Sequence, residues 1–94
     1  MITRVVKMTF KSEKVADFLN VFEEVKAKIA SFEGCNEVKL LRDTNDERIF
    51  FTISKWQHPD YLELYRQSPF FADTWSRTKL NFDDKPLAWS LEDV

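Results

Sequence analysis

The sequence predicts one α+β domain whose elements follow the order βαββαβ, and three observations lead to that prediction. The chain has 94 residues, which is the size of a single domain with one core. Four short segments show the alternation or the β-favouring apolar run of a strand. Two longer segments instead repeat apolar residues every three or four positions, as amphipathic helices do. We therefore assign residues 1–94 to one domain.

The first half of the chain predicts a strand and a long helix. Ile2 to Phe10 alternates, and the residues on its apolar face are Ile2, Val6, Met8 and Phe10. Ser12 is predicted to start the helix by accepting a hydrogen bond from a free backbone amide. The apolar side of this helix consists of Val15, Phe18, Leu19, Phe22, Val25, Ile29 and Phe32. Gly34, the only glycine, is the expected left-handed residue beyond the helix end.

The second half predicts a hairpin, an interrupted helix and a last strand. A strand from Val38 to Arg42 and another from Arg48 to Trp56 flank a polar turn, so they should pair antiparallel. Both faces of the second of these strands are largely apolar and should be covered. The following helix has Pro59 in its first turn and is interrupted at Ser68-Pro69. A final short strand alternates from Leu87 onwards.

Strand, helix, strand, strand, helix, strand is the order of a ferredoxin-like domain with an antiparallel sheet. The two helices would cover one face of that sheet. Apolar residues left on the other face need a second cover, which a second copy of the chain would supply. We therefore expect a homodimer that packs sheet against sheet.

Composition and charge exclude several classes of partner. A net charge of -2 and a pI near 5.4 give no electrostatic reason to expect nucleic acid. No segment has the apolar length of a signal peptide or a membrane span. The single cysteine, Cys35, cannot form an internal disulfide, which favours a reducing cytoplasm. His and Cys residues do not recur at zinc-binding spacings, so no metal is expected.

Several motifs resemble those of the antibiotic biosynthesis monooxygenase domains, which are small dimeric α+β barrels. These motifs are Phe32-Glu33-Gly34-Cys35 after the long helix, the strand from Phe51 that ends on Trp56, and Tyr65-Arg66-Gln67-Ser68-Pro69-Phe70-Phe71. The resemblance covers nearly the whole chain. It implies the dimeric barrel fold, and it allows a monooxygenase that needs no cofactor and acts on planar aromatic molecules.

The resemblance also implies candidate site residues. Oxygenases of this family are thought to stabilise a deprotonated substrate with an Asn, a Trp and Tyr or Arg groups. Here the Trp matches Trp56, and the polar groups that follow it are Tyr61, Tyr65 and Arg77. The position four residues before Trp56 is Thr52, where an Asn would be needed. In the haem-degrading branch the iron ligand is a His, whose position here is Trp75, so haem binding is not expected. His58 is either a base or an exposed turn residue.

Aromatic side chains indicate either a plain core or a ligand pocket. The residues that would line a pocket are Trp56, Tyr61, Tyr65, Phe71 and Trp75, with Arg77 as a further polar group. Two hypotheses about function follow. One is a cofactor-independent monooxygenase for a small planar aromatic or quinol-like molecule, with Trp56, Tyr65 and Arg77 as its catalytic candidates. The other is a non-catalytic homodimer that binds a small molecule or a partner.

Overall fold

A computed structural model describes residues 1–94 as four strands and three helices around one sheet. In chain order the elements are β1 (Ile2–Thr9), α1 (Val15–Ala30), β2 (Cys35–Arg42), β3 (Ile49–Trp56), α2 (Pro59–Arg66), α3 (Pro69–Lys79) and β4 (Leu87–Glu92). The strand order is β2-β3-β1-β4 and every neighbouring pair is antiparallel. This arrangement confirms the predicted ferredoxin-like α+β fold.

The entry into α1 differs from the prediction. Ser12 to Lys14 form a short 3-10 helix, and neither this helix nor α1 has a side-chain hydrogen bond at its N-cap. The predicted capping role of Ser12 was therefore wrong. The helix also ends at Ala30, before Phe32. Gly34 adopts a φ of 82°, as expected for a left-handed residue after a helix.

Both helices of the second half begin with a proline and a side-chain cap. Nδ1 of His58 accepts a hydrogen bond from the Asp60 amide at 3.1 Å at the start of α2. Oγ of Ser68 accepts one from the Phe71 amide at 3.1 Å at the start of α3. Proline is favourable in this position because the first helical amides have no partner inside the helix. The predicted interruption at Ser68-Pro69 is confirmed.

The hairpin between β2 and β3 is also confirmed, and β2 starts earlier than predicted. It begins at Cys35, which pairs with Trp56, and Asn36 is the extra residue of a bulge. Alternation along the strands then divides the side chains between two faces. On β1 the residues that face the helices are Ile2, Arg4, Val6 and Met8, and their neighbours on β3 are Trp56, Ser54, Thr52 and Phe50.

Two clusters form the core between the sheet and the helices. The first contains Met8, Phe10, Phe18 and Phe50, and it lies where β1 approaches α1. The rings of Phe10 and Phe18 stack with their centroids 4.1 Å apart. The second contains Trp56, Leu62 and Tyr65, and it lies below α2. Phe82, which follows the end of α3, pairs with Phe10 across an isolated bridge and packs against the first cluster.

The other face of the sheet has no cover within one chain. Its apolar side chains include Leu41, Trp89 and Leu91, which are 48%, 43% and 50% exposed. Only 10 of the 94 residues are buried, so one chain leaves much of its apolar surface in water. None of the helices combines the length and the apolar character that crossing a membrane requires.

Candidate small-molecule site

A cavity of about 320 Å³ lies between the helix-facing side of the sheet and the three helices. Its walls include Met8 and Phe18 from the first core cluster and Leu62 and Tyr65 from the second. Two thirds of the lining residues are hydrophobic (14 of 21). A concave, mainly apolar site with a few polar groups is typical of a small-molecule pocket.

Polar side chains gather at one end of this cavity. Along the β1 wall the lining residues are Arg4, Val6 and Met8, and their β3 neighbours include Ser54 opposite Arg4 and Thr52 opposite Val6. Polarity therefore falls from Arg4 towards Met8. The sheet itself sets this gradient, because successive residues on one face of a strand are two positions apart.

Arg4 is the charged group of the sheet wall. Its guanidinium Nη1 donates a hydrogen bond to Oγ of Ser90 on β4 at 3.0 Å, and the side chain is half-buried. Partial burial lowers the pKa of Arg4 from its ordinary value, and the nearby positive charge of Arg66 lowers it further, while Glu63 acts in the opposite direction. Arg66, at the end of α2, lines the same cavity.

Tyr65 is the one residue with a phenolic hydroxyl among those that line the cavity. The residue is buried, and its hydroxyl makes no hydrogen bond to another group of the chain. Burial raises the pKa of Tyr65 to about 12, with a smaller contribution from Cys35. The hydroxyl therefore stays protonated at neutral pH and is free to donate a hydrogen bond to a ligand oxygen.

The α3 wall carries aromatic rings and two threonines. Phe71 and Trp75 lie one helical turn apart with nearly parallel rings, 8° between planes and 6.0 Å between centroids. Thr78 donates its hydroxyl to the carbonyl of Thr74 at 2.8 Å, whereas the buried hydroxyl of Thr74 has no hydrogen-bond partner. An unpaired buried hydroxyl is costly, which makes Thr74 a further contact for a polar ligand atom.

Of the residues that the sequence suggested for the site, the structure brings Tyr65, Phe71 and Trp75 to the cavity. Trp56 is not among the lining residues. It is 0% exposed, its ring stacks on Tyr65, and its indole Nε1 donates to Oγ of Ser54 at 3.0 Å. Trp56 therefore contacts two lining residues, Tyr65 and Ser54, from the side that faces away from the cavity.

Tyr61 and Arg77 lie outside the cavity. The ring of Tyr61 packs closely against Gly34, and Arg77 forms an exposed ion pair with Glu24 across α1 and α3. His58 caps α2 and makes no contact with the cavity. Burial raises the pKa of the Cys35 thiol, and an uncharged thiol is a poor nucleophile.

Sequence reasoning missed Arg4, Arg66, Ser54 and Thr74. A signal for Arg4 was present, because a charged residue occupies a core-facing position in the alternation of β1. Ser54 could have been noted in the same way on β3. Thr74 and Arg66 offered no such signal, since polar residues on an amphipathic helix are ordinarily exposed.

The cavity lining brings together two guanidinium groups and several hydroxyls, which are groups able to bind and polarise a ligand. Its lining contains no Asp, Glu, His or Cys side chain, so it offers no group that takes a proton near neutral pH. No three such side chains converge anywhere in the chain to form a metal site. A proton that leaves a bound molecule must therefore pass to water.

Comparisons with known proteins agree on the fold. A conserved protein from Methanosarcina mazei Go1 superposes with a TM-score of 0.93 at 20% identity, covering 100% of this chain and 94% of that chain. An antibiotic biosynthesis monooxygenase superposes with a TM-score of 0.93 at 17% identity, covering 100% and 99%. A variant of SnoaB, a cofactor-independent oxygenase from Streptomyces nogalater, gives 0.87 at 20% identity, covering 98% and 91%.

These superpositions, at low identity, show a shared fold. No curated protein matches the sequence significantly. The profile of one family, antibiotic biosynthesis monooxygenase, matches residues 1–76, which is most of the chain. The chain belongs to the antibiotic biosynthesis monooxygenase family.

Proposed function

We propose that this protein is a cofactor-independent monooxygenase that acts on a small planar aromatic or quinol-like molecule in the cavity. The observation that carries the proposal is the cavity itself, which has flat aromatic walls at Phe71 and Trp75 and the free donor of Tyr65. Family membership and the similar fold of a cofactor-independent oxygenase support it.

The chemistry of such a reaction suits these residues. A phenol or anthrone becomes reactive towards oxygen when it loses a proton, because the resulting anion is rich in electrons. The Tyr65 hydroxyl would donate a hydrogen bond to the oxyanion and so favour the deprotonated form. At the CH2 carbon of an anthrone, one oxygen atom then replaces the two hydrogen atoms and the other leaves as water. At a phenol, the two hydrogen atoms that leave with the water come from one ring C–H and from the hydroxyl group. The reaction balances without an added reductant.

Oxygen consumption tests this proposal. The purified protein should accelerate oxygen uptake by one or more members of a panel of hydroquinones and anthrones, consuming one oxygen molecule per substrate. Tyr65→Phe should lower the rate about 100-fold, as removal of an oxyanion donor does in other enzymes. Tyr61→Phe is the matched control, because it removes a tyrosine hydroxyl outside the cavity and should leave the rate unchanged.

A second candidate function is binding without catalysis. The absence of a proton-accepting side chain in the lining favours it. Under this hypothesis the panel molecules bind in the cavity, but oxygen uptake is no faster than without protein. Measuring both ligand binding and oxygen uptake on one sample of the protein therefore separates the two functions.

We further propose that two copies associate through the open face of the sheet. The apolar side chains of that face include Leu41, Trp89 and Leu91 together with Val5, Phe51 and Ile53. Burying them would extend the core of a small domain that has few buried residues. The cavity lies on the other side of the sheet, so both copies would keep it accessible.

A further inference from the structure

Arg4 differs from the other arginines of the chain in having no negative or aromatic partner. Arg48, Arg66 and Arg77 form ion pairs with carboxylates, and Arg42 lies over the ring of Phe50 at 4.8 Å. Arg4 forms no ion pair and has only the Ser90 hydroxyl. A half-buried guanidinium without a carboxylate in direct contact is costly, since part of its hydration is lost and Glu63 offsets its charge only from a distance.

Arg66 adds a second positive charge to the same cavity. Its Nη1 lies 3.3 Å from Oε2 of Glu63, and this pair is exposed, so screening by water limits how far Glu63 offsets it. Two like charges that share an apolar-walled cavity destabilise each other. An anion bound between the two guanidinium groups would reduce this repulsion. It would also give Arg4 the ion-pair partner that it lacks.

The position of Arg4 defines how such an anion would lie. Arg4, Val6 and Met8 follow one another on the same wall, and at about 3.3 Å per residue the charged and the apolar ends are about 13 Å apart. The charged end lies beside Ser90 on β4, all of whose residues are exposed. The apolar end lies at Met8 and Phe18 in the first core cluster.

From this geometry we infer that the ligand carries a permanent carboxylate, which Arg4 binds with the support of Arg66, while its aromatic rings extend along β1 towards Met8. A carboxylate is ionised at neutral pH, and its two oxygens match the planar fork of a guanidinium. The inference rests on the proposed function for the existence of a bound aromatic molecule. It adds the class of that molecule, an aromatic carboxylic acid, and the direction in which it binds.

Three probes of the same ring system test this inference: naphthoate, naphthamide and naphthol. Binding is measured by quenching of tryptophan fluorescence at neutral pH. Naphthoate should bind about tenfold or more tightly than the other two, because only naphthoate forms a charge-assisted pair with Arg4. Its affinity should fall as the salt concentration rises, whereas that of naphthamide should not.

Substitutions of single arginines identify the side chain that binds the carboxylate of naphthoate. Arg4→Met keeps the length of the stem and should weaken naphthoate about tenfold while leaving naphthamide unchanged. Arg66→Met should weaken naphthoate by a smaller factor, since its charge is exposed and paired. Arg77→Met is the matched control and should change neither affinity, because Arg77 lies outside the cavity.

Each outcome decides between the two proposals. Equal affinity of the unaltered protein for naphthoate and naphthamide overturns the carboxylate inference and leaves the aromatic cavity intact. Tighter binding of naphthol than of naphthoate overturns it in favour of a phenolate ligand. If none of the three probes binds, both the inference and the proposed function fail. The comparison of probes needs no variant, so misfolding of Arg4→Met would not obscure the result.

Discussion

The indole ring of Trp56 stacks on the phenol ring of Tyr65, with centroids 5.2 Å apart and 27° between the ring planes. Trp56 is fully buried at the end of β3, and Tyr65 lines the cavity from α2. The stack therefore joins the sheet to the cavity wall. Removing the indole would take away both the packing of the second core cluster and the support of Tyr65.

Trp56→Ala should destabilise the protein by about 3 to 5 kcal/mol, as truncation of a large buried aromatic ring does. Trp56→Phe retains a ring and should cost less. Urea unfolding measures both effects. Leu64→Ala serves as the control, because Leu64 is 63% exposed and should change stability by less than about 0.5 kcal/mol. A loss below about 1 kcal/mol for Trp56→Ala would contradict the buried position of this ring.

Trp75 should report ligand binding, because it lines the cavity whereas Trp56 and Trp89 do not. Replacing Trp75 with Phe should remove most of the fluorescence quenching caused by a planar aromatic ligand. The Trp56→Phe variant, once shown to be folded, should retain the quenching. Quenching that disappears in Trp56→Phe and persists in Trp75→Phe would place the ligand elsewhere.

Gly34→Ala should destabilise the protein for two separate reasons. The φ of 82° is unfavourable for a residue with a side chain, which costs about 1 to 2 kcal/mol. An added Cβ would also collide with the ring of Tyr61. Tyr61→Ala should relieve only the collision, so the double variant should lose less stability than the two single losses added together. Simple additivity in urea unfolding would show that the collision is not significant.

Alkaline pH should weaken the fold through Tyr65. Burial raises the pKa of this phenol from its ordinary value of 10.0 to about 12, so the folded state holds the proton more tightly than the unfolded state. The contribution of the protonated Tyr65 to the free energy of unfolding is therefore fully present below pH 10 and is lost as the pH rises to about 12. Its size is roughly 2 to 3 kcal/mol. The pH dependence of unfolding should be flatter over this range in Tyr65→Phe, and an unchanged slope would contradict the prediction.

Trp89→Glu should prevent association through the open face of the sheet. The unaltered protein should sediment as a dimer at micromolar concentration, with an interface that buries more than about 1,200 Å² in total. A charge at Trp89 would be buried without a partner in that interface. Leu64→Glu, on the exposed side of α2, should remain dimeric. An unaltered protein that sediments as a monomer would overturn the proposal.

The sequence was sufficient to predict the fold because each local signal agreed with the topology. The alternation of β1, the break at Ser68-Pro69 and the lone Gly34 all specify the same arrangement. The cap predicted at Ser12 was wrong, because Ser12 is instead the first residue of a 3-10 turn that has no side-chain hydrogen bond at its N-cap. End effects of this kind depend on one or two hydrogen bonds, which residue types alone do not fix.

The site was less predictable than the fold. Aromatic residues at helical spacing indicated that Phe71 and Trp75 share a face, but spacing does not show whether that face meets a core or a void. Trp56 is a large aromatic residue beside the site, yet its register on β3 places it opposite Ile2 and beneath α2. Which aromatic ring lines the cavity depends on distances between elements, and these are set by tertiary packing.

The way in which α3 is anchored has a consequence for how this fold can change its ligands. Its start is held by the Ser68 cap and by Pro69, and only Thr78 of the helix is buried. Phe71 and Trp75 are only half-buried, and besides lining the cavity each contacts one further ring, that of Tyr65 and that of Phe82 respectively. Substitutions there would alter the shape of the pocket at a modest cost in folding, so new ligand preferences could evolve on α3 while the sheet and its buried rings stay constant.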